Sequence, residues 1–124
     1  MNTALPLVLV VDDDAFTAEL AGMVLEEAGY GVILAEGGGD ALEKLAANPA
    51  IRLIVSDMNM PFMDGIQLFA ELREQGHAQP FVLLTGESAT PLMTAHPDLG
   101  AVLAKDERLQ ETLPATLAAL LSRA

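Results

Sequence analysis

The chain contains five short apolar segments, and each is followed by a polar residue or a turn. Leu7–Val11 and Leu53–Val55 have no polar member, which is typical of strands buried on both faces of a sheet. The predicted strands, in chain order, are Leu7–Val11, Gly31–Ala35, Ile51–Ser56, Pro80–Thr85 and Ala101–Ala104.

Between these segments the apolar residues recur at helical spacing. Gly29 and Gly76 are placed to end the first and third helices, whereas Pro91 and Pro97 leave room for one or two helical turns before the last strand. The alternation of strands and helices predicts a single α/β domain over residues 1–124, with a parallel sheet covered on both faces. Besides the short fourth helix between the two prolines, the predicted helices are Phe16–Ala28, Asp40–Ala47, Gly65–Gln75 and Leu109–Leu121.

Polar side chains follow four of the five predicted strands. Right-handed crossovers bring the carboxyl ends of parallel strands to one edge of the sheet, where such folds bind ligands. Converging carboxylates raise one another's pKa unless they are compensated, and an oxygen-only cluster suits Mg²⁺. A strand-end carboxylate beside a cation can act as a nucleophile towards phosphorus, so the pattern indicates phosphoryl transfer. The residues at this edge are Asp12, Asp13, Asp57, Thr85 and Lys105.

The overall charge limits the partners of this domain. Its 124 residues carry a net charge of −12, so direct binding to nucleic acid or to an anionic membrane surface is not expected. Cations and basic protein surfaces are the natural partners. Cysteine is absent, which excludes disulfides and thiolate metal sites. Residues 1–11 lack the basic start and cleavage site of a secretion signal, so we expect a cytoplasmic location.

Over nearly its whole length the chain resembles the receiver domain of two-component response regulators. The resemblance implies a flavodoxin-like fold, a doubly wound five-stranded parallel sheet of order 2-1-3-4-5, here with an irregular fourth helix. The motifs that carry it, in chain order, are the acidic pair Asp12-Asp13, the phosphoacceptor Asp57 with Pro61 and the turn Asp64-Gly65, the hydroxyl of Thr85, and Lys105.

The resemblance also implies how the site acts. Asp57 would accept a phosphoryl group from a histidine kinase or a phosphotransfer protein, and Thr85 and Lys105 would bind that group. The domain would catalyse only its own phosphorylation and dephosphorylation, and would then switch the binding of an output partner that the sequence does not name. The implied Mg²⁺ ligands are Asp13, Asp57, the backbone carbonyl of Asn59, and Asp12 through metal-bound water.

Two positions depart from the family pattern. Val102 stands where the family usually has an aromatic residue that moves with the hydroxyl, and Asp106 replaces the proline after Lys105. A cis bond before a residue other than proline costs about 2.5–4 kcal/mol, so we expect a trans bond between Lys105 and Asp106. Asp14 is interpreted as the N-cap of the first helix rather than as a metal ligand.

Two other functions use a similar sequence pattern. A pseudo-receiver would keep the fold as an interaction module that is not phosphorylated. The departures at Val102 and Asp106 favour this alternative, whereas the presence of all three acidic residues, Asp12, Asp13 and Asp57, disfavours it. A phosphatase of the haloacid-dehalogenase type would also use a strand-end aspartate, but it needs a second aspartate where this chain has Asn59.

Overall fold

The computed structural model describes residues 5–86 and 89–122, and a five-stranded parallel sheet lies at its centre. The strand order is β2-β1-β3-β4-β5, and all four neighbouring pairs are parallel, which confirms the predicted topology. The strands are β1 (Leu7–Val11), β2 (Gly31–Ala35), β3 (Ile51–Asp57), β4 (Phe81–Thr85) and β5 (Ala101–Ala104).

Helices cover both faces of the sheet. Alternate residues of β1 divide between two apolar clusters: Val8 and Val10 pack with residues of the first and last helices, and Leu9 and Val11 pack with those of the middle three. Val8 and Leu9 are both fully buried, which explains why this strand has no polar position. The helices are α1 (Ala15–Glu27), α2 (Gly38–Ala47), α3 (Gly65–Glu74), α4 (Ala89–Ala95) and α5 (Leu109–Leu121).

The start of α2 differs from the sequence prediction, because the helix begins at Gly38 and not at Asp40. The N–H of Ala41 donates to the carbonyl of Gly37 over 2.9 Å, which adds two residues to the first turn. A Cβ on Gly38 would lie 2.5 Å from Sδ of Met63. The glycine therefore allows the segment that follows β3 to pack directly against this helix.

The fourth helix is short, as predicted, but it begins before Pro91 rather than after it. Pro91 is the third residue of α4, and the first four N–H groups of a helix have no intrahelical partner, so the proline costs little there. Pro97 lies beyond the end of the helix and does not interrupt it. None of the helices in the described part of the chain is long and apolar enough to cross a membrane.

Candidate functional site

Asp57 is the last residue of β3, which lies between β1 and β4 in the sheet. Only 8% of the residue is exposed. Beyond it the chain is held by two backbone bonds of 2.8 Å, from the N–H of Met58 to the carbonyl of Leu84 and from the N–H of Gly65 to the carbonyl of Met58. The carboxylate is therefore fixed where a central strand meets the surface.

The two carboxylates that follow β1 lie beside Asp57. Asp12 is 6% exposed, and its Oδ1 accepts the N–H of Asp14 over 2.9 Å, whereas Asp13 is exposed. One carboxylate oxygen from each of Asp12, Asp13 and Asp57 can be chosen such that all three lie within 4.8 Å of one another. The fold thus brings Asp57 beside two adjacent acidic residues that lie more than forty positions before it in the sequence.

One cationic group lies among these carboxylates. Nζ of Lys105, which follows β5, is 2.7 Å from Oδ1 of Asp57. Burial raises the pKa of Asp12 above its usual value, and the charge of Asp57 adds to this effect, while the N–H of Asp14 and the charge of Lys105 oppose it. Among the described residues, the ammonium group of Lys105 is the cation that faces the three carboxylates, so the cluster keeps an excess of negative charge when all three are ionised.

The cluster has the chemistry of a Mg²⁺ site. Mg²⁺ prefers oxygen ligands at about 2.0–2.1 Å, so oxygens bound to one ion are at most about 4.2 Å apart. The three carboxylate oxygens are within 4.8 Å of one another, which is close to that limit. A divalent cation would also neutralise the excess charge. The residues present therefore fit the ion.

Thr85 completes this edge of the sheet. It is the last residue of β4, is 1% exposed, and its carbonyl accepts the N–H of Lys105 over 2.8 Å. That bond ties the end of β4 to the residue after β5, so the Thr85 backbone is fixed beside that of Lys105. All of the side chains predicted from the strand ends thus stand on one edge, contributed by four strands.

Asp14 has the structural role that the sequence predicts. Its carboxylate accepts the N–H groups of Phe16 at 3.0 Å and Thr17 at 3.2 Å, which makes it the N-cap of α1. The bond from the Thr17 N–H is the main reason that the pKa of Asp14 lies below its usual value. The predicted trans bond between Lys105 and Asp106 is also present.

The segment between β3 and α3 contains a feature that the sequence analysis missed. Phe62 adopts a φ of 70° and is completely exposed. Its place between Pro61 and the Asp64-Gly65 turn was the signal available, since turn positions often need positive φ. Asp64 and Gln67 form a reciprocal capping box that starts α3. Asn59 lies exposed in the same segment, and the metal-binding role of its carbonyl stays a prediction.

Gly65 starts α3 in direct contact with the end of β3. A Cβ at this position would lie 2.7 Å from the carbonyl oxygen of Asp57 and would also collide with Leu83. Only glycine permits this approach of helix and strand. The residue thus contributes to the position of Asp57 through the backbone.

The fold and the cluster define a class of protein, an α/β domain with an acidic, lysine-containing site at the carboxyl edge of a parallel sheet. The chain matches the response regulator receiver domain family over residues 8–115. It belongs to this family and is a receiver domain of two-component signal transduction.

Two curated relatives show how the chain compares with whole regulators. The response regulator MprA of Mycobacterium sp. (strain KMS) is 38% identical over 118 residues, which cover 94% of this chain and 50% of MprA. The transcriptional regulatory protein GlrR of Escherichia coli (strain K12) is 34% identical over 121 residues, 87% of this chain and 27% of GlrR. The chain therefore spans half or less of the length of these two relatives.

Solved receiver structures have the same fold. The response regulator TrrA of Thermotoga maritima, solved with Mg²⁺ and BeF, superposes with a TM-score of 0.83 at 27% identity, covering 94% of this chain and 99% of TrrA. The chemotaxis protein CheY4 of Vibrio cholerae superposes with a TM-score of 0.75 at 30% identity, covering 97% and 98% of the two chains.

Proposed function

We propose that Asp57 is the phosphoacceptor and that it receives its phosphoryl group from a histidine kinase or a histidine phosphotransfer protein. The observation that carries this proposal is the cluster itself. The carboxylate of Asp57, buried at the end of its strand, lies 2.7 Å from Nζ of Lys105. One of its oxygens and one oxygen from each of two further carboxylates lie within 4.8 Å of one another. This is the arrangement that phosphoryl transfer needs, since the reaction depends on alignment and on neutralising charge.

In the proposed reaction, an oxygen of Asp57 attacks the phosphorus atom of the donor's phosphohistidine. The new O–P bond forms as the P–N bond breaks, and the electron pair of that bond stays on the imidazole nitrogen. Lys105 moves its hydrogen bond from Oδ1 of Asp57 to a phosphoryl oxygen, and the hydroxyl of Thr85 donates to another. In dephosphorylation, water attacks the phosphorus atom as the O–P bond to Asp57 breaks, and the electron pair of that bond returns to the carboxylate as inorganic phosphate leaves. In this proposal the domain catalyses only its own phosphorylation and dephosphorylation.

Mg²⁺ belongs to this proposal as the cofactor. Asp13, Asp57 and the carbonyl of Asn59 would hold the ion directly, and Asp12 would hold it through water. When bound, the ion neutralises charge that gathers on the phosphoryl oxygens. The complex of TrrA with Mg²⁺ and BeF supports extending this chemistry to the present chain.

The charge of the domain supports the remaining proposals about partners and place. With a net charge of −12, the domain is suited to a donor and an output partner that present basic surfaces. Although GlrR is a transcriptional regulatory protein, contact of this acidic domain with DNA is not proposed. We place the domain in the cytoplasm, where ATP-dependent kinases supply phosphohistidine.

Phosphorylation by acetyl phosphate tests the proposal without any partner protein. Incubated with acetyl phosphate and Mg²⁺, the protein should gain one phosphoryl group by intact mass, and the adduct should be labile as acyl phosphates are. Asp57→Asn should abolish the gain, and removal of Mg²⁺ by a chelator should suppress it. Asp98→Asn is the matched control, since Asp98 is an exposed carboxylate before β5 at the other edge of the sheet, and it should react like the wild type.

The outcomes separate the proposed function from the pseudo-receiver alternative. Uptake that survives Asp57→Asn undiminished contradicts the choice of nucleophile. Failure to take up a phosphoryl group from acetyl phosphate or a kinase, together with failure to bind Mg²⁺ and BeF, is the result expected of an interaction module that switches without phosphorylation.

A further inference from the structure

The four phenylalanines of the chain fall into two very different pairs. Phe69 and Phe81 are buried and make an edge-to-face contact, with ring centroids 5.3 Å apart. Phe16 is 71% exposed and Phe62 is completely exposed, at 107% of the reference area. The exposed pair therefore contributes little burial to the stability of the fold.

The backbone conformation of Phe62 is unfavourable, in addition to the exposure of its ring. Its φ of 70° lies in the left-handed region, and it is the one residue other than glycine in that region among the described residues. Bulky side chains are rarely found at such angles, and residues held there cluster at functional sites. A tight turn holds this backbone, since the N–H of Met63 donates to the carbonyl of Pro61 over 2.7 Å across Phe62. Packing within the domain does not explain why a fully exposed phenylalanine stands at that position.

Both exposed rings belong to segments that lead directly out of the acidic site. Phe16 is in the first turn of α1, just after β1 and the carboxylates of Asp12 and Asp13, and Phe62 is five residues after Asp57. The strands β1 and β3 are paired neighbours, with Val11 opposite Ser56. The two segments thus leave the sheet at the same edge, on adjacent strands.

A protein donor must approach along this edge. Asp57 is only 8% exposed, so a phosphohistidine reaches it only when the donor's surface lies against the segments that surround the pocket. The three carboxylates make this surface acidic, which favours a donor with basic side chains around the histidine. Aromatic side chains, phenylalanine among them, are enriched in protein interfaces relative to the rest of the surface, so exposed rings at this edge suit such a contact.

We propose that Phe62, together with Phe16, is a docking contact for the histidine-phosphorylated donor protein, whose surface buries the rings beside basic side chains. This inference rests on the proposed function, because it names a residue through which the donor reaches Asp57. The ring of Phe62 acts as a positioning group and touches no reacting atom.

Two phosphodonors of different size test the proposal. The histidine kinases encoded in the source genome are purified, autophosphorylated with ATP, and screened for the one that transfers fastest to the wild-type domain. For each variant, the kcat/KM for transfer from that kinase is divided by the rate of labelling with acetyl phosphate. Since acetyl phosphate needs no protein surface, the ratio isolates docking from chemistry.

Phe62→Asn removes the ring but suits a positive φ, and it should lower the ratio at least about tenfold through KM, with kcat preserved. Phe16→Ala should lower it by a smaller factor in the same way. Phe62→Tyr keeps the ring and should retain most of the wild-type ratio. Leu5→Ala is the control, since Leu5 is an exposed apolar residue just before β1 at the opposite edge of the sheet, and its ratio should not change.

A Phe62→Asn ratio within about twofold of the Leu5→Ala ratio overturns the docking role. It is also overturned if Phe62→Asn converts a dimer of the wild type to monomer in sedimentation, because the ring then contacts a second copy. Labelling by acetyl phosphate, with no transfer from any kinase or from any phosphotransfer protein that those kinases phosphorylate, overturns it while leaving Asp57 as phosphoacceptor. If neither donor labels Asp57, the proposed function itself fails and this inference fails with it.

Discussion

Phe62→Gly is predicted to stabilise the metal-free domain, although it removes the largest side chain of its loop. The left-handed conformation costs an L-residue about 1–2 kcal/mol, and glycine adopts it without that cost. Glycine also has more conformational freedom in the unfolded chain, and losing that freedom on folding offsets about 0.5–1 kcal/mol of the gain in stability. Because the ring is fully exposed, no burial is lost. The expected net gain is about 0.5–1 kcal/mol.

Urea denaturation followed by circular dichroism measures this effect directly. The midpoint should rise while the slope of the unfolding free energy against urea stays unchanged, since the surface exposed on unfolding is nearly the same. In a thermal melt of a domain of 124 residues, the expected gain is an increase in Tm of about 2–4 °C. Both measurements are made in a chelator, so that cation binding does not contribute.

Phe62→Ala separates backbone strain from the exposed ring. Alanine keeps a Cβ and therefore keeps the unfavourable φ, so its stability should remain within about 0.5 kcal/mol of the wild type. An equal gain in both variants would show that the ring, and not the backbone, is the source of the cost. A loss of stability in Phe62→Gly would refute the reasoning altogether.

Two further predictions concern the site. Asp13→Asn should weaken Mg²⁺ binding in a calorimetric titration and slow labelling by acetyl phosphate, yet leave the metal-free fold at least as stable, because it removes a like charge beside Asp12; unchanged affinity would count against Asp13 as a ligand. Gly65→Ala should cost about 1–3 kcal/mol and slow labelling, since its Cβ meets the Asp57 backbone. Gly39→Ala, in the open first turn of α2, is the matched control and should not destabilise.

Much of the fold could be read from local patterns in the sequence. The apolar run Leu7–Val11 predicts a doubly covered strand because a strand buried on both faces tolerates no polar side chain, and both faces are indeed filled. Polar residues directly after such runs must emerge at the carboxyl edge of a parallel sheet, so the meeting of Asp12, Asp13 and Asp57 also followed from the sequence.

Helix boundaries were less predictable, because the cost of a residue depends on its position within the helix. Pro91 suggested a helix that begins after it, but a proline in the first turn removes no intrahelical hydrogen bond. Gly38 and Gly39 suggested a loop, yet they form the first turn of α2, where Met63 packs against Gly38. Contacts between segments that are distant in the sequence therefore help to determine where a helix begins.

The sequence by itself determined the order of the elements and the residue types at the carboxyl edge, because both follow from burial periodicity along a single segment. The tertiary structure alone decided the distances between groups on different strands, such as the 2.7 Å between Lys105 and Asp57. It alone revealed that Gly65 touches the Asp57 backbone and that Phe62 is exposed at positive φ. These features depend on how separate segments pack and turn in space, which no local pattern of residues encodes.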